Sequence, residues 1–157
     1  GMLDQRQKRI REAGDRCNNI DKYNRLNPHD HMNRIAVVCD EMAEITNATG
    51  EDKATKEKIA AIIHQLTRLA QVGRSAGFTL VCATQRPDVD AIPAKIRSNL
   101  DVRVVGRFAD PTLIPSLLGA GKTSDFSAIP LDVPGRFFCN LDNGVILQGY
   151  VVKELEN

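Results

Sequence analysis

The chain has no tryptophan, only two tyrosines and five phenylalanines, so most of its core must be built from aliphatic side chains. It has no excess of either charge: 21 basic residues face 20 acidic ones, for a net +1. A whole-surface basic field of the kind that coats nucleic acid is therefore excluded, and any contact with DNA must be local. No run approaches the ~18 consecutive apolar residues of a membrane helix, and no signal peptide is visible. Four cysteines are present, but Cys17, Cys39, Cys82 and Cys139 lie far apart with no C-x-x-C pair. Cys39 and Cys82 fall inside apolar runs and read as buried thiols of a reducing, cytoplasmic protein. "HDH" at 29–31 lacks Cys or His partners at zinc spacing and reads as a solvated loop. Gly1 before Met2 reads as the scar of a removed tag.

What is there is a globular composition, 42% hydrophobic and 26% charged, at a length that suits one domain over residues 1–157. "LDQRQKRIREA" at 3–13 predicts a charged helix stopped by Gly14, followed by a polar connection through Pro28. Ile35 to Cys39, in "RIAVVCDE", reads as a strand buried on both faces and ending abruptly in two carboxylates. "TNATGEDKATKEK" predicts a polar loop or helix start. From Lys56 to Ser75 the apolar residues recur at helical spacing, and Gly77 stops the helix. "FTLVCATQ" predicts a second buried strand, "IPAKIRSNL" a short helix and "DVRVVGRF" a third strand. "GRFFCNL" and "GVILQGYVV" predict a terminal hairpin around Asn143-Gly144. Strands alternating with helices predict an α/β fold with a largely parallel sheet.

"LLGAGKTSD" at 117–125 holds Gly121-Lys122-Thr123, the closing letters of a phosphate-binding P-loop. That loop needs a glycine five positions earlier, a buried strand leading in and a helix leading out. Ser116 stands at the first-glycine position, Pro111 and Pro115 interrupt the approach, and Pro130 and Pro134 cut the exit short. The segment reads as a surface loop and not as a phosphate site.

Catalytic groups in open α/β sheets collect at the carboxyl ends of the strands. The first such end carries Asp40 and Glu41, the second Thr84 and Gln85. An acidic pair there can hold Mg²⁺ and polarise an attacking water, and it can equally cap the next helix. A polar strand tip can sense a γ-phosphate or orient water, but taken by itself this one reads as a solvated turn before Pro87.

Taken together, "VVCDEMA" and "RLAQVGRSAGFTLVCATQRPDVDAI", continuing to Ile96 and Asn99, resemble the FtsK/SpoIIIE family of DNA-translocating motor ATPases. The opening "MLDQRQKRIREAGDRCNNIDKYN" is similar to the family's helix and "N-I-x-x-Y-N" segment, and the resemblance runs from about residue 2 to 152. It is similar in flavour to the FtsK-like proteins of conjugative elements. The resemblance implies a RecA-like P-loop NTPase fold, ATP with Mg²⁺, a homo-hexameric ring and double-stranded DNA in its pore. It makes Asp40 and Glu41 the Walker B pair, with Asp40 on Mg²⁺ through water, and Thr84 and Gln85 the sensor. The family's phosphate loop lies upstream of "N-I-x-x-Y-N", so the chain is expected to be the C-terminal half of the motor. Alone it is expected to be inactive. Pro115 stands where the family carries an arginine that reaches a neighbour's nucleotide. Arg107 is the leading substitute, and Arg86 and Arg74 are weaker ones. The expected work is DNA movement in conjugative transfer or chromosome segregation; any membrane association would come from regions outside this chain. The alternative is a truncated, non-enzymatic module that docks onto full-length subunits.

Overall fold

The computed structural model of the chain describes residues 1–85, 91–107, 133–141 and 144–150. They fall into two compact units, residues 1–99 and 100–157.

The first unit opens with α1 (Met2–Glu12), whose Leu3 and Ile10 are buried. The stretch expected to be a polar connection contains a helix, α2 (Ile20–Leu26), capped by Asn19, whose side chain accepts from the Lys22 N–H. A cap and two buried apolar residues, Ile20 and Tyr23, suffice for seven residues that carry too little periodicity to be read as a helix. Every letter of "N-I-x-x-Y-N" has structural work. Asn19 caps, and Ile20 is 1% exposed in a core cluster with Leu3, Ile10, Cys17, Tyr23, Met32 and Ala76. The Tyr23 hydroxyl donates to Asp30, which also accepts from Arg9. Asn24 exchanges two bonds with the Met32 backbone, at 3.0 and 2.9 Å. Asp30, the middle residue of "HDH", is thus spent on Arg9 and Tyr23. No group of three or more potential metal ligands occurs among the described residues.

Strand β1 (Ile35–Cys39) pairs in parallel with β2 (Phe78–Cys82), Val38 opposite Val81 and Cys39 opposite Cys82. Between them run α3 (Met42–Thr46) and α4 (Lys53–Val72). The latter begins three residues before the Lys56 expected from periodicity, because the Asp52 side chain caps it by accepting from the Thr55 N–H. It ends at Val72, earlier than the Ser75 expected, with Gly73 as its C-cap, and a 3₁₀ turn (Arg74–Ala76) carries the chain to Gly77, φ +83°, and into β2. Arg6 of α1 locks this entry: its guanidinium donates to the Ala76 and Asn33 carbonyls, just before β2 and β1, and lies over the Phe78 ring. The expectation of strands buried on both faces holds for one face only. Ile35, Val37, Cys39, Phe78, Leu80 and Cys82 turn inward, while Val38 is 66% and Val81 44% exposed. The short helix α5 (Ala94–Arg97) follows, with Ile96 fully buried.

In the second unit the third strand, β3 (Val104–Val105), does not extend the parallel pairing. It lies antiparallel to β4 (Arg136–Cys139), which forms the expected hairpin with β5 (Val145–Gln148). Val105, Phe138 and Cys139 are buried there. Asn140 continues the β3–β4 pairing past the last ladder residue by bonds to the backbone of Arg103 and Asp101. Gly121-Lys122-Thr123, Pro115 and Arg86 lie outside the described residues.

Candidate active site at the strand tips

The backbone continues β1–β2 pairing beyond Cys39 and Cys82. The Ala83 N–H donates to the Cys39 carbonyl, and the Met42 N–H donates to the Ala83 carbonyl, both at 2.8 Å. A regular parallel ladder would take that second bond from residue 41. The skipped residue is a bulge in β1 that pushes Asp40 and Glu41 out of the strand and starts α3 at Met42.

Glu41 turns toward β2. Its Oε1 accepts from the Thr84 hydroxyl at 2.5 Å and from the Ala43 N–H at 3.1 Å, and its Oε2 accepts from the Gln85 N–H at 2.9 Å. The helix-capping role weighed for the carboxylates is therefore real for Glu41, which is the N-cap of α3. It coexists with a contact that brings Glu41, Thr84 and Gln85 into one cluster. At the end of α3 the Thr46 hydroxyl donates to the Met42 carbonyl at 2.9 Å and lies 3.2 Å from the Ala91 carbonyl. The backbone donors of Ala43 and Gln85 were not legible in sequence, because any residue supplies an N–H.

Asp40 follows β1 directly, is exposed, and makes no hydrogen bond or ion pair among the described residues. An unengaged carboxylate beside a second one is a hard-oxygen donor set that suits Mg²⁺ held partly through water. The Gln85 side chain is exposed at the tip of β2. Just below, Cys39 and Cys82 face one another as free thiols, one buried and one half-buried. Burial, then the neighbouring Cys39, pushes the Cys82 thiol up to about 11. At neutral pH it is protonated and no nucleophile.

Of the candidate arginines, the first unit describes Arg74, which does not join this cluster. Arg74 sits at the amino end of β2, a strand's length of roughly 16 Å from the Thr84 end. Arg107 follows Gly106 after β3 and is exposed in the second unit.

No family model matches the chain. Curated relatives do. It is 32% identical over 130 residues to the DNA translocase FtsK of Chlorobaculum tepidum, covering 77% of this chain and 15% of that protein. The FtsK of Sporosarcina ureae is 36% identical over 109 residues, covering 66% and 13%. The chain is a relative of the FtsK/SpoIIIE DNA translocases. It spans less than a sixth of the length of these curated relatives. Among solved structures, the pCW3 conjugation coupling protein TcpA, determined with ATPγS, superposes with a TM-score of 0.81 at 34% identity. That match covers 94% of this chain and 40% of TcpA. The ATPase 2 and 3 region of EssC from Geobacillus thermodenitrificans gives 0.72 at 25% identity, over 99% of this chain and 26% of that one. The α/β, P-loop-ATPase character of the fold follows from these likenesses. No described helix is long and apolar enough to cross a membrane.

Proposed function

We propose that this FtsK-like chain is the C-terminal part of an ATP-driven double-stranded DNA translocase. In this reading it supplies the Walker B half of the motor, in the cytoplasm, during conjugative transfer or chromosome segregation. The observation that carries the reading is the convergence of Asp40, Glu41, Thr84 and Gln85 at the carboxyl ends of two adjacent parallel strands, in a relative of the FtsK translocases. The likeness to TcpA, a conjugation coupling protein, supports the conjugative branch.

In this reading Asp40 would hold Mg²⁺, and Glu41 would orient and polarise the water that attacks the γ-phosphate. Gln85 senses that phosphate from the neighbouring strand tip. Mg²⁺ would neutralise charge building on the phosphate oxygens. Phosphate cradling belongs to a glycine-rich loop outside this chain, and the open Val38–Val81 face is where the companion half of the domain would pack. Parallel strands are ordinarily covered on both faces, which supports a companion layer. A homo-hexameric ring would thread DNA through its pore, with Arg107, or failing it Arg86 or Arg74, reaching the neighbour's nucleotide.

The test is Glu41→Gln in the full-length protein. Nucleotide binding should persist while turnover stops, because the carboxylate acts on water and not on the phosphates. An Asp40→Asn protein should in addition lose Mg²⁺-dependent affinity. Parental hydrolysis by Glu41→Gln would leave the carboxylate with its capping role alone. A gene that starts at Met2, with no glycine-rich loop in frame upstream, would favour the non-enzymatic docking module instead.

A further inference from the structure

We infer that Thr84 is a positioning residue that acts through Glu41: its hydroxyl holds the carboxylate in place and does not meet the nucleotide, leaving phosphate sensing to the Gln85 side chain. The inference rests on the ATPase reading and divides a pair that sequence alone treats as one sensor.

The argument is one of hydrogen supply. A threonine hydroxyl has a single hydrogen to donate. In this structure the Thr84 hydroxyl donates to Glu41 Oε1, a bond that the negative charge of the acceptor strengthens. What remains on Thr84 Oγ1 is lone pairs, which repel phosphate oxygens. Thr84 cannot hold Glu41 and donate to a γ-phosphate at once. Gln85 is different. Its backbone N–H is committed to Glu41 Oε2, but its exposed side-chain amide carries two further donor hydrogens.

Among the described residues, three donors bear on the carboxylate's attitude. The Ala43 N–H comes from α3, while the Thr84 hydroxyl and Gln85 N–H come from beyond β2, so the carboxylate is held from two elements. Removing the hydroxyl leaves both oxygens a partner but frees the plane of the group to turn. A reacting water is sensitive to such a turn, since misplacement by about 1 Å can cost about 10²-fold in rate.

The experiment has two arms. In the 157-residue chain, amide hydrogen exchange at Ala43 and Gln85 reports whether Glu41 is held. Thr84→Val should speed exchange at both about fivefold, the equivalent of one hydrogen bond of roughly 1 kcal/mol, and Thr84→Ser should restore protection. In the full-length protein Thr84→Val should lower kcat for ATP by about 10²-fold with KM and ATPγS affinity within about twofold, and Thr84→Ser should recover most of kcat. Unchanged exchange in Thr84→Val, or a loss of ATPγS affinity with kcat intact, overturns the positioning role. Glu41→Gln run beside these variants separates the failures. If Glu41→Gln is silent while Thr84→Val is fully active, the inference alone falls. If Glu41→Gln hydrolyses ATP at the parental rate, the ATPase reading falls with it.

Discussion

The Cδ1 atom of Ile20 occupies the space where a side chain at Gly77 would begin: a Cβ built on Gly77 meets it at 2.3 Å. Ile20 is the first residue of α2 and 1% exposed, and Gly77 carries φ +83° at the entry to β2. The helix seats itself in the gap that the absent side chain leaves. Gly77→Ala therefore meets two penalties, a left-handed backbone and an overpacked core. We expect a loss of roughly 2–5 kcal/mol in stability. With no tryptophan in the chain, the urea midpoint is best followed by circular dichroism. A midpoint within error of the parent would refute the packing described for α2.

Asn24 reaches the buried Met32 with a matched pair of bonds, one donated and one accepted. Asn24→Ala should cost about 1–3 kcal/mol, because both backbone groups of Met32 lose a partner. Asn24→Asp keeps the acceptor and should fall between Ala and the parent. Equal stability of all three proteins in urea would show that water replaces the amide at no cost.

Acid should weaken the α1–α4 contact before it unfolds the chain. The Arg68 hydrogen bond, helped by the N-terminal amine, pulls the Asp4 carboxyl from 3.8 down to about 2. Asp30 is also lowered, by Tyr23 and then Arg9, and Asp52 by the backbone N–H of Thr55. A carboxyl depressed in the folded state contributes stability above its unfolded pKa and loses it as pH falls through the folded value. The loss should thus run from about pH 4 down to about pH 2. Asp4→Asn should flatten that part of the curve in a thermal-melt series. An unchanged slope would mean that solvent screens the exposed pair completely.

The isolated chain should hydrolyse ATP no faster than buffer, and Lys122→Ala should change nothing. Positioning of the phosphates supplies most of phosphoryl-transfer catalysis, and the prolines at 111, 115, 130 and 134 leave the "GAGKT" stretch no sequence for the flanking strand and helix that do it. Turnover by the purified chain that disappears in Lys122→Ala would restore residues 117–125 as a phosphate loop.

Arg107 carries the prediction with the widest consequence. A residue that reaches the neighbour's γ-phosphate can contribute ~10³–10⁵ in rate. Lys122, the one cation in the loop after Pro115, has a compact ammonium in place of arginine's planar fork. Arg107→Ala in the full-length protein should abolish turnover and spare ATP binding. Mixing it with Glu41→Gln subunits should restore part of the rate, since some interfaces then pair an intact Arg107 with an intact Glu41. Normal hydrolysis by Arg107→Ala, or mixtures that stay silent, would assign Arg107 a structural role and turn attention to Arg86 and Arg74.

Strands β1 and β2 could be read from local pattern, because a run such as Ile35–Cys39 is apolar and β-branched over a strand's length and leaves Asp40 and Glu41 at its tip. So could the long helix α4, whose period repeats for many turns, and the relationship to FtsK, carried by "ATQRP" and its surroundings. Those signals are local, written within one element. Packing between segments sets what local pattern does not: β1 bulges at its end, Thr84 donates to Glu41 from 43 residues away, and Val38 and Val81 face outward. The same is true of α2, held by Asn19 and a core it shares with α1, and of β3, whose two residues take their direction from β4. A hydrogen bond between distant residues depends on how two chain segments are brought side by side, and no periodicity within either segment encodes that.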